Sequence, residues 1–95
     1  HAVNMEVQRV EQLREGSVVE FYALRPCEFE VLIDGRLGFN GNISAGSRQE
    51  WVPQSEMRVT ASEGNAIEVR IDGQKTGALG PRGGGVQRTW RVLIQ

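Results

Sequence analysis

Few residues of this 95-residue chain could act as nucleophiles, metal ligands or proton carriers, and their spacing does not assemble a reactive centre. Cys27 is the single thiol and His1 the single imidazole, so an intrachain disulfide, a Cys/His pair and a zinc site all lack material. Cys27 falls in the run Cys27-Glu28-Phe29-Glu30-Val31, where its neighbours are carboxylates rather than the cations that activate a thiol. That pattern assigns Cys27 to the core beside Phe29 and Val31. Ser17, Ser44, Ser47, Ser55 and Ser62 have no histidine to activate them, because His1 is terminal and reads as a cloning remnant or a frayed end. Glu28 and Glu30 project from one strand face about 7 Å apart, and in water both stay ionised, which leaves neither as a general acid. Asp34 and Asp72 each precede a glycine and read as turn formers rather than as bases or ligands. The expectation is a chain with no cofactor, no metal and no catalytic residue.

The tract Gly77-Ala78-Leu79-Gly80-Pro81-Arg82-Gly83-Gly84-Gly85 admits several functional readings. It lacks the Gly-x-x-x-x-Gly-Lys-Ser/Thr spacing of a phosphate cradle, and no helix follows it. A lone Arg82 without repeats or basic surroundings makes a poor RNA contact. Its collagen-like triplets are far too few for a triple helix. The tract is therefore expected to be a long mobile loop between Asp72-Gly73 and the last strand. Asn42-Ile43-Ser44 matches the N-glycosylation pattern, which has meaning only in a secreted eukaryotic protein.

Composition limits the function class. Eleven Lys plus Arg against twelve Asp plus Glu give a formal net charge of −1, without the basic footprint of a nucleic-acid binder. A chain this short buries somewhat more than about 60% of its unfolded surface, enough for one core but not for a deep walled cleft. Nothing approaches the roughly 18 consecutive apolar residues of a membrane-spanning helix, and no signal peptide opens the chain. The expectation is a soluble piece cut from a longer protein.

The elements that would position these residues are strands. Val18 to Leu24 is β-branched and aromatic, and Cys27, Phe29, Val31 and Ile33 alternate with Glu28 and Glu30. Asp34-Gly35 then predicts a two-residue type I′ hairpin, after which Arg36-Leu37-Gly38-Phe39 resumes the alternation. Further strands are expected at Arg48 to Val52, Met57 to Ala61, Ile67 to Ile71 and Val86 to Ile94. The last presents Val86, Trp90, Val92 and Ile94 on one face and Gln87, Thr89 and Arg91 on the other. About seven short strands with regular turn signals predict an all-β fold, an immunoglobulin-like antiparallel β-sandwich over residues 17–95. Residues 1–16 fit a short helix through Val3, Val7, Val10 and Leu13 as well as an extra strand through Val3, Met5 and Val7.

Gly64-Asn65-Ala66 leading into Ile67-Glu68-Val69-Arg70-Ile71-Asp72-Gly73, then Leu79-Gly80-Pro81, follow Asp34-Gly35 and Ala45-Gly46-Ser47 in a fixed order. This ordered set, over roughly Ser17 to Ile94, resembles the C-terminal domain of RodZ-like bacterial cell-shape proteins. The resemblance implies a parent with a cytoplasmic helix-turn-helix domain that contacts the actin-like MreB filament, one membrane-spanning helix and a linker. This domain would then lie on the periplasmic or extracellular side of the cytoplasmic membrane. Its implied role is non-catalytic, through protein contacts within the elongation machinery.

For such contacts, Tyr22, Phe39 and Trp51 are the candidate anchors, since exposed aromatics on a sheet face or edge make binding hot spots. Trp90 shares a face with Val92 and belongs to the core. The alternative is a cell-wall or carbohydrate-binding module in which aromatic faces stack on sugars beside Asn40, Asn42 and Gln49.

Overall fold

In a computed structural model, which describes residues 10–94, the chain folds as two β-sheets facing one another. The strands are β1 (Val10–Arg14), β2 (Val19–Ala23), β3 (Cys27–Ile33), β4 (Arg36–Ile43) and β5 (Arg48–Trp51). They continue with β6 (Glu56–Ala61), β7 (Ile67–Ile71), β8 (Gln74–Ala78) and β9 (Val86–Leu93), and a 3-10 turn at Gly64–Ala66 precedes β7. One sheet has the order β1-β9-β6-β3-β4 and the other β5-β2-β7-β8. The expected sandwich is present.

Alternation builds the core. Cys27, Phe29 and Val31 of β3 point inward with Met57, Val59 and Ala61 of β6 and with Trp90 and Val92 of β9. From the other sheet come Val19, Phe21 and Ala23 of β2 with Ile67 and Val69 of β7. The two layers meet where Phe21 stands edge-on to Phe29 at 5.4 Å and to Trp90 at 5.8 Å between ring centroids. Edge-to-face rings of this kind add to the ~1.5–3 kcal/mol gained by burying each large side chain.

Asp34-Gly35 forms the expected type I′ turn, and Asp72-Gly73, expected only to end a strand, forms a second. Asp34 and Gly35 have φ of 51° and 83°, and Asp72 and Gly73 have 52° and 84°. Positive φ at both central residues is the type I′ signature, which matches the twist of the joined strands.

Several expectations need correction. Asp72-Gly73 does not lead into a long loop: Gln74–Ala78 returns as β8 against β7, so the loop is confined to residues 79–85. Its low apolar content hid it, since an edge strand with an exposed face needs little burial. The helical reading fails over Val10–Arg14, which forms β1 in parallel with β9; the rest of that reading lies outside the described residues. These two additions raise the strand total to nine among the described residues. Ile94 lies beyond the end of β9 and is 65% exposed rather than in the core, whereas Thr89 is buried. A bulge between Val31 and Leu32 lets β4 gain a residue, so Leu37 faces out while Phe39 turns in.

Candidate interaction surface

Each lateral opening of the sandwich is closed by a different chemistry. On one side, Trp51 of edge strand β5 reaches across to edge strand β4 and packs on Gly38, where an added Cβ would lie 2.9 Å from the indole ring. Its Nε1 donates to Gln49 Oε1 at 3.0 Å, and Phe39 packs beside Phe29 at 6.3 Å. On the other side, Arg88 occupies a core-facing position of β9. It donates from Nε and Nη2 to the Glu11 carboxylate at 2.7–3.0 Å and from Nη1 to the Leu79 carbonyl at 3.0 Å. Its guanidinium stacks 4.8 Å from the Trp90 ring, so one cation shields the core and ties β1 to the chain after β8. The gap left by Arg88 in the alternation Val86, Trp90, Val92 is the signal that could have revealed it.

The remaining polar chemistry serves turns. The Asp34 carboxylate accepts from the backbone N–H groups of Gln54, Ser55 and Glu56 and from the Ser55 hydroxyl, at 2.7–3.1 Å. Slight burial pushes its pKa up, but these donors outweigh it and bring the value down from 3.8 to about 2. Asp72 accepts from the Ser17 hydroxyl and the Val18 N–H, and Ser62 Oγ accepts from the Glu28 N–H. Cys27 is 8% exposed, and burial raises its thiol pKa. Among the described residues no group of three or more His, Cys, Asp or Glu could hold a metal ion.

The three aromatic candidates are not brought together. Tyr22 lies half-buried on the outer face of the four-stranded sheet, under the Arg48 guanidinium at 5.8 Å. Phe39 and Trp51 are half-buried and pack against the core from the opposite direction. Asn40 and Asn42 point outward from β4 with Gly41 between them, while the preceding Phe39 turns inward, and Gln49 is engaged by Trp51. The sugar-binding alternative therefore lacks an aromatic platform beside its polar groups.

What the fold does assemble is a polar row on the outer face of the five-stranded sheet. Register places Asn40 opposite Glu30, Glu30 opposite Thr60 and Thr60 opposite Gln87, one residue from each of four adjacent strands. Gln87 Nε2 donates to Thr60 Oγ1 at 3.3 Å. This row is the floor of an open groove of about 1260 Å³, with Pro81 and Gly85 on one wall. That wall is held by close backbone approach: the Gly80 N–H donates to the Gly64 carbonyl and the Gly64 N–H to that of Gly84. An added Cβ on Gly64 would stand 2.7 Å from Gly80 Cα.

A family model described as the RodZ C-terminal domain matches residues 13–89. The chain belongs to the RodZ C-terminal domain family. No curated protein and no solved structure matches it. The match to the RodZ domain begins within β1 at Leu13 and ends within β9 at Thr89, so it contains the whole polar row and Arg88. Glu11, the ion-pair partner of Arg88, precedes the part matched to the RodZ domain.

Proposed function

We propose that this domain serves a membrane-anchored RodZ-like parent as a non-catalytic, protein-contacting module in the machinery that sets bacterial cell shape. Membership of the RodZ C-terminal domain family over residues 13–89 carries the reading. The use made of ionisable groups supports it: Glu11 and Arg88 pair with each other to close an edge, and Asp34 and Asp72 brace turns. The domain acts on the extracytoplasmic side of the membrane, and a helix elsewhere in the parent anchors it. Among the described residues no helix is long and apolar enough to cross a membrane. Contacts use the outer sheet faces, with Tyr22 on the four-stranded sheet as one anchor and Phe39 and Trp51 supporting the β4/β5 edge.

The test compares cells carrying the full parent with cells whose parent lacks residues 13–95. Loss of normal shape, together with loss of specific co-purifying proteins, is expected. Retained shape with an unchanged set of co-purifying proteins refutes the contact role. A phosphatase reporter that works only outside the cytoplasm, fused after Gln95 in the full parent, is expected to be active; an inactive reporter refutes the compartment.

A further inference from the structure

We propose that the groove on the outer face of the five-stranded sheet docks an extended, Lys/Arg-bearing segment of a partner protein, read by Glu28 and Glu30. This rests on the protein-contacting reading above and names the surface and its partner class. At about 1260 Å³ the groove exceeds the ~300–1,000 Å³ usual for small-molecule pockets. Its floor crosses from Asn40 through Glu30 and Thr60 to Gln87. With adjacent strands about 4.8 Å apart, such a row spans about 14 Å, the reach of four to five extended residues at about 3.3 Å each.

Charge selects the occupant. Five glutamates, Glu11, Glu20, Glu56, Glu63 and Glu68, each hold an Arg within 3.4 Å or, for Glu68, a Lys at 3.3 Å. Glu28 and Glu30 have no ion pair among the described residues, and their cross-strand neighbours Asn42, Asn40 and Thr60 are neutral. Arg88, a cation of the same lining, is already held by Glu11, so a cation arriving here meets two carboxylates that no internal ion pair occupies. The row itself is polar, with Leu79, Pro81 and Val86 as apolar lining beside it, so recognition joins charge and hydrogen bonds to a limited apolar contact and is sensitive to salt.

The test titrates the isotope-labelled 95-residue chain with a synthetic ten-residue peptide alternating Lys and Thr, with a Glu/Thr peptide as control. Amide shifts are expected at Glu28, Glu30, Asn40, Thr60 and Gln87 with the Lys peptide alone. The double variant Glu28→Gln/Glu30→Gln should bind about five- to ten-fold more weakly, in line with loss of two solvent-screened charge contacts. Glu15→Gln/Glu50→Gln, which removes two carboxylates outside the groove lining, should leave the affinity unchanged. Shifts centred elsewhere, equal weakening by both variants, or equal binding of the Glu peptide overturn the proposal. If the peptide fails to bind while residues 13–95 are still needed for co-purification, the surface assignment falls and the contact role stands. If both fail, the contact role falls as well.

Discussion

Asp34 offers the sharpest test of how this fold is held, because one carboxylate joins a hairpin turn to the chain between β5 and β6. Asn tolerates the left-handed backbone at φ 51°, so Asp34→Asn keeps the turn while removing the charge. It also places an amide NH2 where the Gln54 N–H now points at Oδ2, at 3.0 Å. The fall in pKa from 3.8 to about 2 corresponds to roughly 2 kcal/mol, each pKa unit being worth a little over ~1 kcal/mol. Asp34 is partly exposed and water screens it, so about 1–2 kcal/mol is the expected loss at neutral pH. For a domain of this size that lowers the melting temperature by about 4–16 °C. Because the folded-state pKa lies below the unfolded one, the stabilisation is complete above about pH 5 and disappears as pH falls towards 2. Urea unfolding of both proteins across this range should show a gap that closes on acidification. A gap below ~0.5 kcal/mol at pH 7, or one that persists unchanged at pH 2, refutes the reasoning.

Gly64→Ala should cost about 1–3 kcal/mol, because its Cβ would press on the Gly80 backbone at 2.7 Å, whereas Gly84→Ala meets nothing within 4 Å and should change stability by less than ~0.5 kcal/mol. Equal effects in denaturant unfolding would remove the close-approach argument. Arg88→Met leaves Glu11 and the Leu79 carbonyl without their donor and should lower stability by about 1–3 kcal/mol. Arg88→Lys should restore only part, since an ammonium cannot make the two-pronged contact. Amide exchange in β1 should accelerate in Arg88→Met, and unchanged protection there would show that backbone pairing alone holds the strand. Cys27, buried and with its pKa raised, should react with a disulfide reagent at pH 8 only as fast as the domain opens; immediate labelling of the folded protein contradicts its core placement.

Much of the sandwich was legible locally. Cys27 to Ile33 and Ile67 to Ile71 alternate with period two, and the two Asp-Gly pairs carry their turn type in their residue types. What was missed was decided by partners distant in the chain. Gln74–Ala78 has little apolar content and becomes a strand because β7 offers it an open edge. Val10–Arg14 fits a helical period nearly as well as a strand, and its state is settled by pairing with β9, 79 positions away at Val10↔Thr89. Phe39 and Trp51 looked alike as contact candidates, yet a bulge and the absence of a side chain at Gly38 turn both towards the core.

The sequence by itself therefore determined the fold class, the type I′ turn at Asp34-Gly35, the burial of Cys27 and Trp90, and the ordered pattern of the RodZ C-terminal domain family. Those features depend on neighbours within a few residues, where side-chain period and backbone preference act directly. Only the tertiary structure decided that Asn40, Glu30, Thr60 and Gln87 form one row, and that Arg88 meets Glu11 across 77 positions. Register between strands is a global outcome of core packing, since a one-residue slip would turn every inward side chain outward.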